Sequence, residues 1–154
     1  MFPRIRYPTK QQGIIWLKRR QRILPSKIAS SLKVSRPYVS QAQRIAENRI
    51  EKLLKHTASV SMIDIRNLSS EYGIAEGYCH EFDSDTYITY SPKIGVRTWF
   101  AHSGNCKSCS KLDDCKQVLQ NLSKEWKIPL PKNKQPTLQG DFLFKEIKRR
   151  LEWE

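Results

Sequence analysis

The sequence predicts an α+β chain: a helical N-terminal third, followed by a small antiparallel sheet with helices that carries four cysteines. Three observations predict it. Apolar residues recur at helical spacing up to about residue 58, then give way to short β-rich runs separated by turn residues. Charge divides at the same place: residues 1–58 carry 14 Lys and Arg against 2 acids, whereas residues 59–128 carry 8 against 9. All four cysteines, Cys79, Cys106, Cys109 and Cys115, fall in the nearly neutral middle. The predicted division is therefore 1–58, 59–128 and 129–154, the last being a Pro- and Lys-rich linker with a terminal helix.

Composition narrows the function classes. A chain of 154 residues suits one ordinary domain or two small ones. Its net charge of +13 points to a polyanionic partner, and that charge is concentrated in the first third. The longest strong apolar run, 14–17, is too short to cross a bilayer, so no membrane partner is expected. Four Trp, six Tyr and five Phe argue against wholesale disorder. Residues 1–10 hold charges and two prolines but no apolar run, which predicts no secretory signal and a cytoplasmic protein.

Three helices are expected before residue 58. The first covers about 9–22, with Thr9 as N-cap and Ile14, Trp16 and Leu17 as apolar positions. The second starts at Pro25, a favoured first helical position, and carries Ile28, Ala29 and Leu32. Lys33, Val34 and Ser35 form a short turn. The third covers about 37–56, capped by Ser35 or Arg36, because proline disfavours helical geometry just before itself. Val39, Ala42, Ala46, Ile50 and Leu53 fall on one face of this helix, and Pro37, Ser40, Gln41, Arg44 and Asn48 on the other. Ile45, Ile50, Leu53 and Leu54 are available to pack on the middle region or on a second copy.

An apolar stripe backed by Gln, Ser and Arg is what a helix entering a DNA major groove needs. The stretch SKIASSLKVSRPYVSQAQRIAENRI, residues 26–50, resembles the helix-turn-helix of the sigma region 4 and LuxR-type group. The preceding PTKQQGIIWLKRRQRIL matches that group's first helix in length and position. Lys27 stands where the group usually has Glu, and Leu24 where it usually has a capping Ser or Thr. The resemblance implies double-stranded DNA as partner, with Arg36, Tyr38, Ser40, Gln41 and Arg44 facing the bases. Lys18, Arg19, Arg20, Arg22, Lys27 and Lys33 would contact phosphates. A homodimer reading two half-sites is expected.

After residue 58 the pattern changes. Residues 60–65 read as a strand and 67–73 as a short helix ending at Gly73. Three further strands are expected at 77–82, 86–90 and 96–101, separated by turn-type sequences. Val118, Leu119, Leu122 and Trp126 mark an amphipathic helix over 113–126. A last helix, about 137–153, offers Leu138, Phe142, Ile147 and Leu151.

The cysteine spacing is C-x26-C-x2-C-x5-C. Four thiolates from one strand, one loop and one helix start could ligate a shared inorganic centre. Zinc is one reading, although zinc ribbons usually pair two C-x2-C knuckles. Free thiols or disulfides are another, the latter disfavoured in a reducing compartment. The C-x2-C-x5-C ending after a distant Cys resembles the [4Fe–4S] motifs of WhiB-like regulators, the endonuclease III group and cluster-bearing RecB-like nucleases. The resemblance implies a cluster held by Cys79, Cys106, Cys109 and Cys115; His80 and His102 lie near the cysteines in sequence and could replace a ligand. The layout of helical head and small α/β region also resembles the Tfx-type regulators.

The expected function is a sequence-specific transcription regulator with a [4Fe–4S] cluster responsive to redox state, oxygen or iron. The alternative is a DNA-binding regulator with a structural zinc site. A nucleic-acid-processing enzyme would need a general base or a carboxylate pair. Asp83 and Asp85 sit in a turn, and Asp113 and Asp114 suit a helix N-terminus, so neither enzyme activity nor a small-molecule substrate is expected.

Overall fold

The computed structural model describes residues 5–153, so part of the N-terminal stretch read for a secretory signal lies outside it. The described residues form five α-helices and one four-stranded antiparallel sheet. No helix among them is long and apolar enough to cross a membrane.

The first helix, α1 (Lys10–Arg20), begins with a reciprocal cap. Thr9 Oγ1 accepts from the Gln12 N–H, and the Gln12 side chain accepts from the Thr9 N–H. Helix α2 (Pro25–Leu32) has proline at its start and Leu24 at its N-cap, with no side-chain hydrogen bond there. Lys33 then adopts a left-handed conformation at φ 57°, and its N–H and that of Val34 close the helix end. Ser35 caps α3 (Arg36–Val60), accepting from the Tyr38 N–H at 3.2 Å.

Helix α3 is long enough to serve two cores. Its first turns place Val39 and Ala42 against Ile15, Ile28 and Ala29, which closes a small three-helix core. Its later turns place Ala46, Ile50, Leu53, Leu54 and Ala58 against one face of the sheet. Full burial of aliphatic chains such as Ile50 and Leu54 contributes roughly 1.5–3 kcal/mol each. The expected apolar face of this helix is buried throughout, and Pro37, Ser40, Gln41, Arg44 and Asn48 are exposed. In α1 the fully buried positions are Ile15 and Trp16, with Ile14 and Leu17 only half-buried.

The sheet is a meander of β1 (Ile63–Ser69), β2 (Ile74–Cys79), β3 (Ser84–Ser91) and β4 (Gly95–Phe100) in spatial order. The short helix expected over 67–73 does not form. Strand β1 continues to Ser69, and the chain turns back through Gly73 at φ +67°. A bulge between Ile65 and Asn67 shifts the register and breaks the two-residue alternation that marks a strand. Gly73 also lies under the Trp16 indole, where an added Cβ would come within 2.6 Å of the ring. Trp16 is wedged there, donating from Nε1 to the Ser70 carbonyl at 3.0 Å and meeting Tyr90 edge-on.

Helices α4 (Leu112–Trp126) and α5 (Pro136–Arg150) cover the opposite face. Leu119, Leu122, Trp126, Leu143, Phe144 and Ile147 pack there with Ile74 and Trp99. Gly140 lets α5 approach the Trp99 indole, which a Cβ would meet at 2.4 Å. Of the apolar positions expected for the last helix, Ile147 is buried and Leu151 packs at the edge of this core, but the first half of the helix turns a different face inward. Leu138 and Phe142 are 48% and 45% exposed, whereas Leu143 and Phe144 are buried.

Candidate nucleic-acid surface and cysteine cluster

One exposed surface gathers the N-terminal half of α3 with α2 and the turn between them. Arg36, Tyr38, Ser40, Gln41 and Arg44 are all exposed along it, as are Lys27, Lys33 and Asn48. The helix is oriented by its neighbours. Tyr38 Oη donates to Gln11 Oε1 at 2.7 Å, and Arg49 Nη1 donates to Gln12 Oε1 at 3.0 Å, so α1 braces α3. Gln41, Arg44, Ile45, Asn48 and Arg49 line a shallow depression on the outer side. This surface carries hydrogen-bonding amides, a hydroxyl and guanidinium groups on a rigid, capped helix. Glu47 lies beside it, half-buried; burial pushes its carboxyl up, against the hydrogen bond from Gln43.

The expected phosphate contacts divide. Arg22, Lys27 and Lys33 are exposed, and Lys18 is half-buried. Arg19 is half-buried, with its guanidinium donating to Gln43 Oε1 and to the Ile23 carbonyl. Arg20 is a correction: at 8% exposure it faces inward. It lies over the Trp16 and Trp126 rings, donates to the Tyr72 carbonyl at 3.0 Å and stands 3.8 Å from Glu125. A basic residue four positions from a buried Trp falls on the inner face of α1, so its charge is spent inside the protein. Burial pulls Arg20 down to about 10, partly opposed by Glu125. Burial likewise pushes the Glu125 carboxyl up, while Ser91, Arg20 and Asn121 favour its charged form.

The four cysteines are free thiols, and they do not converge as one set. Cys79 ends β2 on the sheet face that meets α3, buried in that core with its thiol 3.5 Å from the Ser61 carbonyl. Cys106, Cys109 and Cys115 instead line one cavity of about 120 Å³ with Trp99, His102, Asn105, Leu112 and Thr137. Cys106 is buried in a short 3₁₀ turn (Cys106–Ser108), Cys109 is exposed and follows it, and Cys115 lies in the first turn of α4. Burial and then the neighbouring Cys109 and Cys106 push the Cys115 thiol up. Side chains alternate across a strand, so Cys79 shares the α3 face with Ala75, opposite Ile74 on the α4–α5 face. A [4Fe–4S] centre or a zinc ion on all four cysteines therefore does not fit these residues. Among the described residues, no three His, Cys, Asp or Glu side chains stand in an arrangement that could hold a metal ion as placed.

His102 lines the same cavity. Its Nδ1 lies 2.6 Å from the Phe100 carbonyl. His80 is turned elsewhere, with Nε2 2.5 Å from Asp64 Oδ2. Gln135, the N-cap of α5, is a residue that the sequence does not single out. It accepts from the Cys106 N–H and donates to the Gly104 carbonyl, which fixes the cysteine loop from the far end of the chain. A lone Gln in a Pro-rich linker carries no sequence signal for that role. No family model, curated protein or solved structure matches the chain.

Proposed function

We propose that this chain is a sequence-specific double-stranded DNA-binding protein that acts in transcription control. In this reading α2, its three-residue turn and α3 are a helix-turn-helix, and α3 enters the major groove. The observation that carries it is the outward row Arg36, Ser40, Gln41 and Arg44 on the half of α3 whose inner face is locked by Val39 and Ala42. Arg reads guanine and Gln reads adenine by paired hydrogen bonds, which requires an exposed side chain on a fixed backbone. Exposed Lys27, Lys33 and Arg22 supply phosphate contacts around that helix. The regional net charge of +12 over residues 1–58 supplies the long-range attraction.

The reading includes a homodimer, because a single helix spans too few base pairs to define a genomic site and paired half-sites solve that geometrically. It places the protein in a reducing, cytoplasmic compartment, where four free thiols are stable. It assigns no catalytic role, since the surface that carries it displays binding groups rather than a nucleophile with a base.

Selection from a pool of randomised duplexes tests the proposal. The full chain should enrich a defined, dyad-related motif. Its affinity for that motif should exceed its affinity for random duplex by about 10³-fold or more. Both affinities should fall as salt rises, because phosphate contacts release counterions. Enrichment of no motif, with equal binding to all duplexes, would leave only a non-specific polyanion binder and overturn the reading.

A further inference from the structure

We propose that His102, Cys106, Cys109 and Cys115 form a Cys3His site for a single structural zinc ion, and that Cys79 takes no part in it. The proposal is independent of the DNA-binding reading. Four observations carry it.

First, all four side chains line the same small cavity, between the end of β4, the 3₁₀ turn and the first turn of α4. The sequence spacing is H-x3-C-x2-C-x5-C, compact enough for one loop and one helix start to wrap an ion. Second, His102 is oriented as a metal-binding imidazole. A carbonyl can only accept, so Nδ1 carries the hydrogen it gives to Phe100 at 2.6 Å, and the Nε2 lone pair is left free. Ligating histidines are fixed in this way by a backbone carbonyl on the other nitrogen. Third, the loop is held before any ion arrives. Gln135 grips it at Gly104 and Cys106, and the Cys106 thiol donates to Thr137 Oγ1 at 3.8 Å. Fourth, Lys111 lines the neighbouring recess with Cys109 and Cys115, where its cation offsets the excess negative charge of three thiolates.

The ligand chemistry selects the ion. Three thiolates and one imidazole are a common tetrahedral set for structural zinc. A [4Fe–4S] cluster ordinarily takes four thiolates, and the fourth cysteine lies across the sheet. Binding requires side-chain rotation, because the four groups are neighbours around the cavity rather than already in a coordinating arrangement. Cys109 is the freest to move, being exposed. As the ion enters, three sulfur–hydrogen bonds are replaced by three sulfur–zinc bonds and three protons leave to solvent. The completed site would tie β4, the 3₁₀ turn and α4 together, on a stretch that otherwise has few buried apolar side chains.

The test is metal analysis of the full chain purified without oxygen, with cobalt as a spectroscopic substitute for zinc. We expect one zinc per chain, little iron and no sulfide. Cobalt should give the intense visible bands of a tetrahedral thiolate site. Cys109→Ser and Cys115→Ser should each abolish stoichiometric binding, His102→Ala should reduce it and His102→Cys should restore it, while Cys79→Ala keeps it. Native alkylation followed by mass spectrometry covers the case in which a variant fails to fold. In the unsubstituted protein, Cys109 and Cys115 should be protected until a chelator removes the metal. Absence of stoichiometric zinc, iron with sulfide at cluster stoichiometry, or loss of metal in folded Cys79→Ala would each overturn the proposal, as would alkylation of Cys109 and Cys115 that ignores the chelator.

Discussion

Glu125→Ala is expected to lower the free energy of unfolding by about 3–5 kcal/mol, the range for breaking one partner out of a buried ion pair. Glu125 Oε1 accepts from Ser91 at 2.5 Å and from Asn121, and its second oxygen faces the Arg20 guanidinium. Removing it strands a buried cation between two indole rings and leaves Ser91 and Asn121 short of an acceptor. The double variant Arg20→Met with Glu125→Gln should recover much of the loss, because it removes both charges and keeps an oxygen for Ser91 and Asn121. Urea denaturation of the three proteins checks this; a Glu125→Ala cost below about 1 kcal/mol would mean the pair is solvated.

The same pair predicts a pH dependence. Burial raises the Glu125 carboxyl above its ordinary 4.5, so the folded chain keeps a proton that the unfolded chain has released. The stability held in that proton is full below about 4.5 and is lost as pH rises through the raised value. Unfolding free energy should decline over that weakly acidic window in the unsubstituted protein. Glu125→Gln should remove that component of the slope. The pair matters beyond stability because it joins α1 to α4, and Arg20 also holds the turn between β1 and β2 through Tyr72.

Gln41→Ala and Arg44→Ala are each expected to cost about 1–3 kcal/mol at the selected DNA site, roughly 5- to 150-fold in affinity. Neither should change binding to random duplex by a comparable factor. Both side chains are exposed on α3, two and five residues past the locked Val39, so truncation should leave the fold intact. Lys27→Ala and Lys33→Ala should weaken specific and random binding alike, each lowering the salt slope by about one. Fluorescence anisotropy with both duplexes separates the two classes. A uniform loss in all four variants would remove base reading from α3.

The helical head followed closely from the sequence because its signals are local. The Thr9 and Ser35 caps, Pro25 at a helix start and the spacing of Val39, Ala42, Ala46 and Ile50 each act within one or two turns. The departures came from longer-range packing. The bulge near Arg66 hid the end of β1, and β2 begins three residues before its expected start because Ile74, Ala75 and Glu76 are all buried and show no alternation. On α5, Leu138 and Phe142 obey a helical period, but Gly140 sets which face meets Trp99. Arg20 reads as one more surface cation until Trp126 and Glu125 arrive from over a hundred residues away. The cysteines divide for a related reason: spacing in the chain does not reveal which face of the sheet a strand residue takes.

The most direct measurement of the central proposal is a map of backbone amide shifts as a selected duplex is added to the labelled full chain. The largest changes should fall on Ser35 to Asn48, with smaller ones at Lys27 and Lys33, and the sheet and α5 should be nearly silent. Changes concentrated on α4 and α5, with the outer row of α3 unmoved, would contradict it.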